Sequence, residues 1–331
     1  MEETGNPNPG IEKAYSIVHR HPLGYWMTNL TRTSFEDVKS RYFRLFVPVK
    51  LIRKRLPTSL PEFHAVRHDA TLSDSPVTVA AKLGGHWSDH NLAAITHVGS
   101  CNFRCNYCYV SFQHLAGHDG FPGDAKSLVE DFLRIRGELA DGGKPLTILR
   151  VSGGEPLLAP GLVTEVYQQL ERRSLLGQCV LKVESNLSAL PYAYEQLDHM
   201  AQADLRAAAS QVTLHATLHA RPGERDWRAI REGLRLAAEL GFDLYPAIGG
   251  DGWSAEDLRT LASELESAAK NLSRRLAVRP FRLSYAKRYG RRMTAGSTPE
   301  PVAASAVWEG ILRGITGSEY LATPRHEVEL S

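Results

Sequence analysis

Three cysteines stand close together in the run Cys101-Asn-Phe-Arg-Cys105-Asn-Tyr-Cys108-Tyr, a C-x3-C-x2-C spacing. Three thiolates at that spacing can hold three irons of a four-iron, four-sulfur cube and leave the fourth iron without a protein ligand. An open iron can take a small molecule, so such a cluster would be a reactant site. Two other uses of clustered thiols compete. Structural zinc usually takes four ligands, commonly from two separated pairs. This chain has no second pair, its remaining cysteine being Cys179, although His97, His114 and His118 flank the motif and could supply a fourth ligand. A disulfide would leave one thiol over, and nothing in the sequence marks secretion.

A second run follows downstream, Leu149-Arg150-Val151-Ser152-Gly153-Gly154-Glu155-Pro156. Thr147 to Val151 reads as a strand, β-branched and apolar. Two glycines then let the backbone turn sharply and approach a ligand closely. Glu155 presents a carboxylate at the strand's C-terminal end, where α/β ligands bind. Together, the cysteine run with Tyr107 before its third cysteine and the GGEP turn closing the next strand resemble the signature of the radical S-adenosylmethionine (SAM) enzymes. The resemblance implies that Ser152, Gly153, Gly154 and Glu155 contact the amino group of the methionine moiety. It implies that Glu184, Ser185 and Asn186 contact the ribose or the methionine carboxylate, and that Tyr107 and Tyr109 border the cofactor. It further implies a common opening, in which the reduced cluster cleaves SAM to a 5′-deoxyadenosyl radical that abstracts hydrogen or adds to an unsaturated carbon. A reductase such as flavodoxin or ferredoxin would supply the electron.

The elements that must position these groups read as strand and helix in alternation from residue 92. Strands are expected at 92–98, 146–151, 179–185, 211–218, 242–248 and near 280–285. Helices are expected at 125–140, 160–174, 192–204, 225–240 and 254–271. Six such units imply parallel strands, and a partial (β/α)6 barrel is also the fold the resemblance implies. Residues 1–90 read as an N-terminal extension, 91–290 as the barrel, and 291–331 as a C-terminal extension whose Trp308 and Tyr320 cap the barrel mouth. The basic run at residues 49–55 reads as a solvated helix face.

Successive strand residues face opposite sides, and here one set is polar. Thr213, His215, Thr217 and His219 alternate with Leu214, Ala216 and Leu218. Lys182 and Glu184 alternate with Leu181 and Val183, Arg150 and Ser152 with Leu149 and Val151, Asp243 and Tyr245 with Phe242 and Leu244, Arg282 and Ser284 with Phe281 and Leu283. The apolar set must pack under helices, so the polar set lines the lumen. Two readings stay open for its charges: a buried ion-pair network that satisfies itself, or recognition of an anionic substrate by Arg150, Lys182 and Arg282. His215, with Glu184 and Tyr245, is the candidate for proton transfer. Cys179 begins its strand far from the reactive end and reads as a small core hydrophobe.

Composition narrows the partners. The 331 residues carry a formal charge of +2, giving no electrostatic case for an obligatory nucleic-acid partner. The start lacks an apolar signal region, and no stretch reaches membrane-spanning length. Thiols holding an oxygen-sensitive cluster need a reducing compartment, so a cytoplasmic location is expected. With three of the four cysteines in one cluster, a single cluster per chain is expected. That argues against the peptide-modifying group with C-terminal auxiliary clusters. The N-terminal segment is too short for an added cobalamin domain. The leading expectation is a stand-alone enzyme acting on a nucleoside, nucleotide or sugar derivative, with carbon–carbon bond formation in specialised metabolism as one outcome. The rivals are a ribosomal-peptide modifier that binds a leader peptide through its first 90 residues, and a glycyl-radical activase.

Overall fold

The computed structural model describes residues 9–28, 40–46, 75–105, 108, 110–249, 253–279, 301–316 and 325–330. Its strands are β1 (Tyr25–Thr28), β2 (Arg44–Phe46), β3 (Ala93–Val98), β4 (Phe121–Gly123), β5 (Ile148–Gly153), β6 (Val180–Ser185), β7 (Thr213–Thr217), β8 (Asp243–Gly249) and β9 (Ala277–Arg279). Its helices are α1 (Pro9–Val18), α2 (Ser75–Leu83), α3 (Phe112–Leu115), α4 (Ala125–Asp141), α5 (Pro160–Arg172), α6 (Leu190–Glu195), α7 (His199–Ala209), α8 (Trp227–Glu239), α9 (Ala255–Ala268) and α10 (Pro301–Thr316).

β3, β5, β6, β7, β8 and β9 pair in that order, each parallel to the next. They form the partial (β/α)6 barrel. Among the described residues the last strand is Ala277–Arg279; the stretch 280–285, where a strand was expected, lies outside them. The helix expected over 192–204 is two helices. α6 ends at Glu195, and Asp198 caps α7 by accepting a hydrogen bond from the Ala201 N–H, a local bond that competes with helix continuation.

The outward residues Leu149, Val151, Leu181, Val183, Leu214, Ala216 and Leu244 join the main core, with Phe132, Leu162, Leu170, Ile230 and Leu261 from the helices. α10 belongs to this layer. Its Trp308 and Leu312 are buried in the same core, and the helix packs on α9 and β9. Trp308, expected at the barrel mouth, is thus buried with the helix layer, where an apolar helix stripe gains by leaving water. Tyr320 lies outside the described residues.

Three short strands were not foreseen. β1 and β2 both run antiparallel along the free edge of β3, β2 against Ala93–Ile95 and β1 against His97–Val98, and β4 continues the sheet beyond β1. The N-terminal segment also supplies a floor. Val79 of α2 packs on Ala93, Ile148 and Val180, the first residues of three barrel strands, with Leu83 beside them. Lys82 of the same helix reaches Asp243 (2.7 Å), which also binds Arg275 (2.7 Å) and accepts from the Thr213 hydroxyl (3.3 Å). Arg275 donates in turn to the Val328 carbonyl (2.7 Å), and the turn Arg325–Glu327 meets α2. Asp243 is thus consumed at the floor by two cations. The run at 49–55 lies outside the described residues.

Candidate active site

Three loops meet above the C-terminal ends of the parallel strands. The cysteine loop leaves β3 and is held down by backbone bonds. Arg104 donates to the carbonyls of Cys101, Phe103 and Leu115, and the Ser100 hydroxyl to that of Leu115. The Cys105 carbonyl accepts from the Cys108 N–H (3.1 Å). Burial raises the proton affinity of the Cys101 thiol, and Glu155, Cys105 and Cys108 add to that while the Phe103 N–H opposes it. Such thiols become thiolates when a metal takes the place of their protons. The Phe103 N–H (3.4 Å) and the Asn186 amide (3.8 Å) point at the Cys101 sulfur, the kind of donor that tunes a cluster. Among the described residues, no three metal-ligating side chains close on one point. The donor chemistry, three thiols on one short loop, is the kind that an iron–sulfur cluster takes.

The GGEP turn packs against this loop, backbone to backbone. The Gly154 N–H donates to the Val98 carbonyl (3.0 Å) and the Glu155 N–H to the Ser100 carbonyl (2.6 Å). A Cβ on Gly154 would lie 1.7 Å from the Ser100 oxygen. Gly153 has φ +97° and its Cβ would lie 2.4 Å from the His97 Cβ. The glycines are therefore demanded first by the neighbouring strand.

Glu155, expected at the methionine amino group, is engaged by protein donors in this structure. It is buried, and it accepts from the Leu157 N–H (2.9 Å), the Ser185 hydroxyl (2.6 Å) and the Asn186 N–H (2.7 Å). It caps the turn Pro156–Leu158 and ties it to the end of β6. Ser185 lies on the outward face of β6, where its hydroxyl donates to Glu155 and accepts from the Leu187 N–H. Burial pushes the Glu155 carboxyl up to about 7, against the opposing pull of those three donors. The native state thus holds a proton that the unfolded chain has already released. Stability is expected to be greatest below the ordinary value of 4.5 and to fall as pH rises to about 7, by about 3 kcal/mol at 1.36 kcal/mol per unit. Denaturant titrations from pH 4.5 to 7.5 should show that fall in the parent and a flat profile in Glu155→Gln; a flat parent profile would refute it.

Asn186 lies beside the cysteine loop. Its amide reaches Cys101 and the Asn102 side-chain oxygen (3.2 Å), and its own oxygen accepts from the Ser188 N–H and hydroxyl. Asn102 closes the network by donating to Ser188 (2.7 Å). Leu187 between them takes a left-handed φ of 66°, a strained state for a branched residue. Neither Asn102 nor Ser188 was singled out from the sequence.

Below these loops the inward residues form rows. Arg150, Lys182, Thr213 and Asp243 are in register across four strands. One step up, Glu184, His215 and Tyr245 are in register, so the three residues expected to do proton chemistry are brought together. Glu184 binds Arg150 and Lys182 (3.4 Å) and accepts from the Ser152 hydroxyl (3.1 Å). Burial opposes its ionisation, but Arg150, Lys182 and His215 outweigh that and hold it well below the usual carboxylate range. The His215 ring lies 5.3 Å from that of Tyr245, with the Arg275 guanidinium 4.7 Å from the Tyr245 centroid. Removing the shared anion leaves two buried cations facing each other. Glu184→Gln is expected to cost about 3 kcal/mol, read as a lower urea midpoint at unchanged slope; an unaltered midpoint would show that the pair is not coupled.

Tyr107, Tyr109 and Arg282 lie outside the described residues. Cys179 is buried in the helix-side core, its sulfur 3.6 Å from the Leu175 carbonyl. His219, from the end of β7, stacks edge-on against Phe103 of the cysteine loop (6.0 Å), and burial lowers its pKa to about 4.

The family model of the radical SAM superfamily matches residues 95–265, from β3 through most of α9. The chain belongs to the radical SAM superfamily. Membership brings an iron–sulfur cluster and SAM, and makes this radical SAM protein an enzyme. It is 33% identical over 159 residues to GTP 3′,8-cyclase of Gloeobacter violaceus, a match covering 46% of this chain and 45% of that protein. Among solved structures it is similar to SuiB of Streptococcus suis bound to precursor peptide SuiA, at 14% identity and a TM-score of 0.47, covering 82% of this chain and 54% of the other. The chain spans about half the length of these relatives. Among the described residues no helix is long and apolar enough to cross a membrane.

Proposed function

We propose that this enzyme uses one four-iron cluster, held by Cys101, Cys105 and Cys108, and SAM to open radical chemistry on a small anionic substrate, a nucleotide. The observation that carries the reading is the pair of cations in the lumen: Arg150 and Lys182 stand in register on neighbouring strands, and Glu184 lies against both. Two such cations side by side match the oxygens of a phosphate or carboxylate. The relatedness to a GTP 3′,8-cyclase over the shared segment favours a nucleotide over a sugar derivative.

When bound, the cluster and SAM supply a carbon-centred radical. The chain's own residues bind, orient and exclude water. Ser152, Gly153, Gly154 and Asn186 border the methionine end of SAM beside the cysteine loop. Arg150 and Lys182 hold substrate anion, and Lys182 is almost wholly buried, so bulk water does not screen it. Glu184 fixes both cations and stays ionised. His215, in register with Glu184, moves a proton to or from the substrate, and Tyr245 supplies a flat face beside it. A soluble reductase such as flavodoxin or ferredoxin supplies the electron in a reducing cytoplasm.

The test is anaerobic reconstitution with iron and sulfide, then dithionite and SAM, with 5′-deoxyadenosine followed by chromatography. GTP and other nucleotides are expected to raise its formation about tenfold, about 1.4 kcal/mol of barrier, over sugar phosphates and peptides. Stimulation by a peptide alone would overturn the reading.

A further inference from the structure

His97 is wholly buried, and neither of its ring nitrogens has a hydrogen-bond partner. It sits on β3 in register with Thr28 of β1 on one side and Ser152 of β5 on the other. Both hydroxyls are spent elsewhere, that of Thr28 on the Asp119 carbonyl (2.7 Å) and that of Ser152 on Glu184. An imidazole left bare in this way costs about 1–3 kcal/mol for each lost bond, so an unsatisfied histidine in a native lumen calls for a ligand.

One row below, Arg44 of β2 is in register with Ile95, and Ile95 with Arg150. Adjacent strands lie about 4.8 Å apart, so two guanidinium groups flank the column that carries His97. The Nε of each is buried without a partner. Arg44 has no carboxylate partner among the described residues, whereas the carboxylate nearest Arg150 is already shared with Lys182. Phe46, two residues along β2, lies 5.4 Å from the Arg150 guanidinium carbon and gives it a flat aromatic support.

We propose that Arg44, His97 and Arg150 form an oxyanion subsite, built where β2 lies on β3, that takes the phosphate or pyrophosphate end of the substrate. This rests on the nucleotide reading above and extends it to a residue of the N-terminal segment. Guanidinium groups present planar N–H forks that match phosphate oxygens. A neutral imidazole donates one N–H to the same anion and keeps its second nitrogen as an acceptor. Burial and the two arginine charges lower the proton affinity of His97, in keeping with a neutral donor. The two guanidinium groups exclude a cationic ligand.

The experiment is anaerobic calorimetry of the cluster-loaded protein with GTP and, separately, inorganic pyrophosphate. The parent is compared with Arg44→Gln, Arg44→Lys and His97→Phe, with iron content checked for each. Both probes are expected to bind the parent, to compete, and to weaken at least about tenfold in Arg44→Gln and His97→Phe, with partial recovery in Arg44→Lys. GTP binding that ignores these substitutions overturns the subsite and leaves the nucleotide reading standing. Pyrophosphate binding that depends on them without GTP binding keeps the subsite and overturns the nucleotide reading. Binding of neither probe to the parent overturns both. If Arg44→Gln loads no iron, Arg44→Lys and His97→Phe decide the matter, and unweakened binding in both overturns the subsite.

Discussion

Cys105→Ala is expected to abolish iron loading and to cut 5′-deoxyadenosine formation by at least about a thousandfold, about 4 kcal/mol of barrier. The three motif thiols are partly buried on one loop, and burial, with smaller additions from Glu155 and the other two thiols, raises the proton affinity of Cys101. Taking away one of three protein ligands leaves too few thiolates to hold a cube with an open iron. Cys179→Ala supplies the contrast. That thiol lies in the apolar core, where burial pushes it up to about 11 and a Leu175 carbonyl is its hydrogen-bond partner. Its loss is expected to cost about 1–2 kcal/mol of stability through a small cavity and to leave iron content unchanged. Iron and labile sulfide analysis of both variants is the check. Full iron in Cys105→Ala, or zinc in place of iron in the parent, would sink the assignment.

Gly154→Ala is expected to be as damaging to the fold as Cys105→Ala is to the chemistry. The added methyl would meet the Ser100 oxygen at 1.7 Å and the Val98 oxygen at 2.8 Å. Both are backbone atoms, so no side chain can swing aside. Relief requires the cysteine loop or the GGEP turn to move, breaking the bonds from Gly154 to Val98 and from Glu155 to Ser100. Overpacking of this kind costs about 1–3 kcal/mol where neighbours yield, and two backbone bonds add about 1 kcal/mol each. A loss of about 4 kcal/mol, with cluster loading impaired because the loop is displaced, should appear in urea unfolding and iron content. Parent-like stability would mean that the two loops do not cross this closely. Gly177→Ala, where a Cβ meets nothing within 4 Å, tests the φ penalty alone.

The barrel strands were legible because inward and outward positions differ in chemistry along each one: Leu149 and Val151 against Arg150 and Ser152, Leu214 and Ala216 against Thr213 and His215. β1, β2 and β4 were not, since three or four residues are too few for a period, and they become strands only by pairing with β3 or each other. His97 could have been found, because it shares parity with Ile95 on a strand that was foreseen; it was weighed only as a possible zinc ligand. Arg44 could not, since its place in the lumen depends on a long-range register. The GGEP turn was legible from its two glycines after a β-branched strand, but not its backbone contact with the cysteine loop or the three donors on Glu155, since those partners are distant in sequence.

The N-terminal segment's place in the sheet has a temporal consequence. His19 binds the Leu158 carbonyl across 139 residues of chain, Tyr25 binds Glu165 across 140, and Ser40 meets Asp131 across 91. Residues made first on the ribosome therefore wait for partners made long afterwards, and loop closure over such spans slows folding. Until then the edge of β3 is bare, a template for pairing with another chain. Refolding should be slow and prone to aggregation at high protein concentration, and metal delivered before that edge is covered would meet a loop whose supporting turn is not yet in place.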